Sequence, residues 1–397
     1  MKIYMGALWS LLSGIAIFSI ISAHAEKSAS ESVVSHTFLP EKAVMNAQQM
    51  RALQLPPGFK VNVFAQDLGN ARMLAVTGDG AVLVTRMAEG KVTLLQDKND
   101  DGVAEVQKDV VSDLQDVHGI ALRAGQIYLA TMRQLYRGAL TADGAVQDLQ
   151  KIGAELPDGG QHPRRTLGLH PDGDELYISV GSSCNNCEES NPEHATLLRS
   201  KLDGSERTVF ATGLRNTLGF GWHPVTRELW GMDHGSDQRG DDLPPEELNQ
   251  LVPGADYGWP FCHSNKVVDA DASNPKQGSK KEYCAKSEPP ILSYQAHSAP
   301  IGLVFYTGSQ FPAEYRNDAF VTLHGSWNRL PATGYKVVRI RFQNGKPVAF
   351  EDFLTGFLSS DGKKQFGRPS GIAVAKDGAL LISDDTQGII YRVTYSK

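Results

Sequence analysis

"TLGLHPDGDELYISVG", residues 166–181, reads as a short apolar strand, an Asp-Gly turn and a second strand with alternating apolar positions. The phrase returns along the chain in other words. "RMLAVTGDGAVLVTR" runs from Arg72, "VHGIALRAGQIYLAT" from Val117 and "TLGFGWHPVTRELWGMD" from Thr217. "PIGLVFYTGSQF…AFVTLHG" follows from Pro300 and "PSGIAVAKDGALLISDD" from Pro369. Aligned on Met73, Gly119, Gly168, Gly219, Gly302 and Gly371, the units are spaced by 46, 49, 51, 83 and 69 residues. Strand pairs repeating at such a period build a β-propeller, so the chain is all-β with six blades. Asp-Gly, the dipeptide of tight hairpin turns, recurs at 79, 101, 143, 158, 172, 203, 361 and 377. The last unit ends in "GIIYRVTY", one strand short of four. "GFKVNVFAQ", residues 58–66, is therefore predicted to close the ring as the outer strand of the sixth blade.

Ahead of the repeats, Lys2 is the only charge before Glu26, and a mostly apolar run ends in Ala23-His24-Ala25. A small-x-small site in that place predicts a secretory signal over residues 1–25 and a periplasmic or secreted product. An uncleaved anchor is the alternative, because the run is just long enough to span a bilayer. Residues 26–55 are expected to form a loosely attached arm with a short helix in "EKAVMNAQQMRAL", and residues 56–397 the propeller. With 39 Lys and Arg against 45 Asp and Glu, the chain carries a formal charge of −6. That mild acidity argues against nucleic acid or an anionic membrane as partner. Four cysteines suit an oxidising compartment. The expected pairs are Cys184–Cys187, within "CNNC", and Cys262–Cys284. Zinc is the alternative, but no His flanks either pair at finger spacing.

A propeller does not by itself define a function, but it says where one would sit. Residues just before the inner strands share one mouth of the central channel. They are Gln115 and His118; His162, Arg164 and Arg165; Arg215 and Asn216; His297 and Ser298; and Arg368. Arginines and histidines at equivalent positions point to an anionic ligand and a proton acceptor.

"QHPRRTLGLHPDGDELYISVG", "GLRNTLGFGWHP", "RGDDLPPEELNQLVPGADYGWP", "GSWNR…GYKVVRIRF" and "RPSGIAVAKDGALLISDD" resemble the glucose/sorbosone dehydrogenase family, most nearly its sorbosone and pyranose branch. The resemblance covers about residues 55–397. It implies an exported six-bladed propeller that uses pyrroloquinoline quinone (PQQ) and calcium to oxidise an aldose or related sugar aldehyde at C1. Hydride would pass to PQQ, and electrons to a separate acceptor, a quinone or a cytochrome. The family base is a His five residues before the Leu that begins an inner strand. His162 stands in that relation to Leu167; His170, which opens a turn, does not. The resemblance assigns quinone contacts to Arg215, with a catalytic part, and to Asn216 and Arg368; Gln115 and His118 share their mouth position. A second arginine expected after Arg368 is Ser370, and the family lysine is missing from "VTLHGSWNR", where His324 or Arg329 would substitute. "RGDDLPPEELN" is implied to carry calcium on the carbonyls of Gly240 and Asp241, with Asp242 nearby. Glu247 and the backbone of Tyr257 match a second calcium site.

Asp97, Asn99, Asp101 and Gly102 begin like an EF-hand loop, but Lys108 stands where a bidentate Glu is required; a hairpin turn is expected. Two further functions fit a six-bladed ring. A calcium-dependent lactone or ester hydrolase would hold its metal deep in the channel on acids from several blades, whereas these acids concentrate in one loop. A non-catalytic binding propeller would have lost the cofactor contacts and would not depend on His162.

Overall fold

In the computed structural model, which describes residues 33–396, each repeat is a four-stranded antiparallel sheet, and six such sheets follow one another along the chain. The segment read as a secretory signal lies outside the described residues. The blades begin at the inner strands Ala71–Val76, Gly119–Arg123, Leu167–Leu169, Gly219–Trp222, Pro300–Phe305 and Pro369–Val374. In the sixth blade, Phe59–Ala65 pairs with the C-terminal strand Ile389–Tyr395, so the N-terminal strand closes the ring as expected.

Strand alternation turns the repeat into a ring of cores. Val82 and Val84 face Leu381 of the sixth blade, whereas Leu83 between them faces Ile120 and Ile127 of the second. Tyr128 of the second blade packs on Leu176 and Ile178 of the third, and Tyr177 on Phe220 and Leu229 of the fourth. Every blade is thus buried on two faces, and each fully covered Leu or Ile contributes about 1.5–3 kcal/mol.

The repeated glycine has a steric reason. A Cβ at Gly119 would lie 2.7 Å from the Arg165 carbonyl, and one at Gly371 would meet the Arg72 carbonyl at 2.1 Å. Only glycine lets successive inner strands approach that closely around the channel. Hydroxyls on second strands then stitch blade to blade: Thr85 donates to the His118 carbonyl at 3.0 Å, and Ser383 donates to that of Arg72.

The arm differs from expectation. Asn46 caps a helix over Ala47–Ala52, accepting from the amides of Gln48 and Gln49. Around it the chain is tied down rather than loose. Glu41–Lys42 pairs in parallel with Lys364–Gln365, Phe38 bridges to Asn328, and Gln54 to Thr355. Backbone amides and carbonyls supply these ties, which side-chain patterning does not reveal.

The long insertion of the fourth blade is stapled by Cys262–Cys284 and carries a helix, Lys280–Lys286, with a Ser279–Glu282 capping box. Cys184–Cys187 closes the second bridge, so both expected disulfides form and no described cysteine is free.

Candidate active site

A cavity of about 310 Å³ opens at the channel mouth where the inner strands begin. His162 and Arg164 reach it from the approach to the third blade, Arg215 and Asn216 from the fourth, His297 from the fifth and Arg368 from the sixth. Aspartates ending second strands hold two of these approaches. Asp233 accepts from the amides of Arg215 and Asn216 at 2.9 and 2.8 Å, and Asp384 from that of Arg368 at 3.1 Å. Burial pushes both carboxyls up to about 6.

His162 has its Nδ1 2.9 Å from Ser182 Oγ and 3.1 Å from the Ser182 carbonyl. Burial, then Arg215 and His234, bring its imidazole down to about 3. It is therefore neutral throughout the physiological range, as a proton acceptor must be.

One wall of the cavity is cationic. Arg72 pairs with Asp385 at 2.5 Å, and its other terminal nitrogen lies 3.2 Å from His118 Nε2. His324 Nε2 shares Asp385 at 2.9 Å, while Arg368 donates to the carbonyls of His324 and Gly325 at 2.9 and 2.8 Å. Burial alone would raise Asp385, yet His324 and Arg72 hold it far below the usual carboxylate range. Burial, with Asp385 opposing it, keeps His324 near 4. Arg164 has no partner on its buried Nε, and burial beside Arg72 lowers it to about 10. Arg72, Arg164, Arg215 and Arg368 thus face two carboxyl groups, Asp385 and Asp237 (2.8 Å from Arg215).

The other wall is acidic. Glu246 lines the cavity and accepts from the amides of Gly235 and Ala299 at 3.1 and 2.8 Å. Its neighbour Glu247, opposite Asp233 in the strand register, lines a separate void of about 20 Å³ beside Tyr257 and Asp269. Burial raises both glutamates to about 8.

Of the residues singled out in the sequence, the fold brings together His162, Arg164, Arg215, Asn216, His297, His324 and Arg368. His118 sits fully buried behind Arg72, its Nδ1 donating to the Arg165 carbonyl at 3.0 Å, and supports that guanidinium without lining the cavity. Gln115 is exposed outside it. Arg329 is turned onto the carbonyls of Pro331 and Ala296 and onto Asp242, 2.8 Å away. His170 accepts from the Asp172 amide and packs edge-on against Trp222, a turn residue as its position suggested.

Of the loop expected to carry calcium, Gly240, Asp241 and Asp242 do not line the cavity. The Gly240 carbonyl accepts from His297 Nε2 at 2.8 Å, and Asp241 is held by the amide and ring of His36 at 2.8 and 2.5 Å. Asp242 is taken by Arg329. The N-terminal arm and the 329–330 segment hold these acids, and Glu246, six residues on from Gly240, supplies the cavity carboxylate instead. Glu247 and Tyr257 do meet at the small void, where the tyrosine hydroxyl is spent on the Gln250 carbonyl at 2.5 Å. In the EF-hand-like loop the carboxylates of Asp97 and Asp101 cap backbone amides of their own turn.

Arg72, His234, Asp237, Glu246, Trp327 and Asn328 line the cavity without having been picked out beforehand. For Arg72 a signal existed, because it holds in the first repeat the place of His118 in the second and Ser370 in the sixth. It lies next to the Ser370–Gly371 pair around the ring.

A family profile described as TrAA12-like matches residues 53–396. A pyrroloquinoline quinone-dependent sugar dehydrogenase of Hypocrea jecorina is 24% identical to this chain over 392 residues, covering 84% of it and 87% of the relative. The PQQ domain of the Coprinopsis cinerea pyranose dehydrogenase, solved in its holo form, superposes with a TM-score of 0.74 at 22% identity, covering 86% of this chain and 97% of that one. A Trichoderma reesei carbohydrate-active enzyme of family AA12 superposes at 0.77 with 22% identity, covering 90% of this chain and all (100%) of the other. At these identities the solved structures establish the propeller architecture.

Proposed function

The chain belongs to the TrAA12-like family, and from that premise we propose that it is a PQQ-dependent dehydrogenase oxidising an aldose or related sugar at C1, outside the cytoplasm. The observation that carries the reading is the surplus of guanidinium over carboxylate in a cavity of about 310 Å³ that also holds a neutral histidine. PQQ is a flat ring system with three carboxylates, and Arg164, with an unsatisfied buried Nε, wants such a ligand. Arg72 and Arg368 flank Arg164 as further anion partners. The cavity lies at the small end of ligand sites, about 300–1,000 Å³, which suits one planar cofactor with the sugar over its open face.

When bound, PQQ supplies the hydride acceptor. The rest falls to the chain. His162 takes the C1 hydroxyl proton on Nε2, the nitrogen that Ser182 leaves free. Arg215, fixed by Asn185 and Asp237, presents positive charge where negative charge develops. Trp327, 41% exposed at the mouth, offers an apolar face to a pyranose ring. Calcium fits the acid wall: Glu246 at the cavity and Glu247 with Asp233 at the small void are hard oxygen donors short of positive charge. A separate quinone or cytochrome then takes the electrons.

The test is reconstitution of the purified chain with PQQ and calcium, followed by dye reduction across a panel of aldoses. Sugar-dependent reduction that His162→Ala abolishes is the expected result. Absence of PQQ binding by spectral titration would overturn the reading.

A further inference from the structure

The loop closed by Cys184–Cys187 follows directly from the strand Glu175–Val180 and touches both reacting side chains. Ser182, fully buried, donates its one hydroxyl hydrogen to the Cys184 carbonyl at 2.6 Å. Its oxygen is left with lone pairs alone toward His162 Nδ1, and its carbonyl, 3.1 Å from the same nitrogen, is also only an acceptor. Two acceptors on one ring nitrogen require that nitrogen to carry the hydrogen. Inside the ring, Asn185 accepts from Arg215 through its backbone carbonyl at 3.0 Å and through its side-chain oxygen at 2.9 Å. Asn186 anchors the far side on the Pro260 carbonyl at 2.8 Å. Gly181 leaves no room for drift, because a Cβ there would lie 2.5 Å from His162 Cβ.

We propose that the Cys184–Cys187 ring is a clasp that sets two side chains at once: through Ser182 it fixes His162 as the Nδ1–H tautomer, and through Asn185 it aims Arg215. Ser182 and Asn185 are positioning residues, and the disulfide holds them in register. The significance for catalysis rests on the proposed dehydrogenase; the tautomer does not. A hydroxyl at 182, in place of a carboxylate, also leaves the imidazolium without a counter-ion. Of the groups lining the same cavity, Arg215, His234 and Arg164 oppose protonation of the ring, while Asp237 is engaged by Arg215 and Asn328 and Glu246 by the amides of Gly235 and Ala299.

Nitrogen-15 NMR of the histidine rings tests this in the full chain without PQQ or sugar, His162 being assigned by the signal lost in His162→Gln. Above pH 5 the wild-type ring should be a single neutral Nδ1–H form; an Nε2–H or a protonated ring overturns the proposal. Cys184→Ser combined with Cys187→Ser, verified as folded by circular dichroism, should give a mixture of both tautomers. A folded double variant with an unchanged pure tautomer removes the disulfide from the argument. Ser182→Asp should raise the protonation midpoint of His162 by about 1–3 units, and an unmoved midpoint overturns the role of Ser182. Should neither variant fold, the wild-type spectrum alone still decides the tautomer. Because these readings need no turnover, a pure Nδ1–H tautomer in a chain that reduces no dye would reject the dehydrogenase and keep the clasp.

Discussion

On one side of the cavity Arg72, Arg164 and Arg368 crowd around Asp385; on the other, Asp233, Glu246 and Glu247 are buried together, with Arg215 as the cation that reaches the first two. Each wall pushes its own groups toward neutrality, Arg164 down to about 10 and the two glutamates up to about 8. Buried charge of one sign costs a fold stability unless something completes it. An anion would answer the first wall and a hard cation the second, which is what the proposed function asks of them. His162 sits at the seam, kept neutral by its burial and by Arg215.

The largest effect is expected at that seam. His162→Ala should lower sugar-dependent turnover by about 10²–10⁴-fold while PQQ still binds, as dye-coupled kinetics and a spectral titration would show together. The cationic wall comes next. Arg164→Ala should weaken PQQ by about 10- to 100-fold, the worth of one charged hydrogen bond, yet leave the Tm of the ligand-free protein unlowered because a crowded charge has gone. A fall in both would mean that Arg164 is structural.

The acid wall gives a smaller effect, with a sign that depends on pH. Glu247 has its folded pKa raised to about 8 from an ordinary 4.5, so its contribution to stability is full below pH 4.5 and is lost as pH rises through 8. Under the proposed function, calcium would take the place of that proton. The rise in Tm on adding calcium should therefore grow between pH 5 and 8 and shrink markedly in Glu247→Gln; a gain independent of pH would place the metal elsewhere. The smallest effect belongs to a histidine outside both walls. His170→Asn should leave kcat/KM within about twofold and cost about 1 kcal/mol on chemical denaturation.

How far the sequence foretold this depends on where each group lies in a repeat. The blades, their order and the closing strand Phe59–Ala65 were legible because glycine and alternation recur at fixed places, and packing explains why they must. His162, Arg215, Asn216 and Arg368 were legible for the same reason, lying just before inner strands. Glu246 and His234 were not. His234 follows the second strand of the fourth blade and Glu246 begins the third, away from the inner-strand entrances that the repeat marks. Acid density pointed to Asp241 and Asp242, but whether an acid is free depends on partners distant in sequence, here His36 and Arg329.

The ring joins Phe59–Ala65 to strands drawn from residues 369–395. Synthesis therefore releases the outer strand of the sixth blade first and its three partners last. Until residues 389–395 have emerged, Phe59–Ala65 is an unpaired edge, open to pairing with any other strand. The final contact spans almost the whole chain, which makes ring closure the slow, late event of folding and gives a chaperone that shields one seven-residue strand the most to protect.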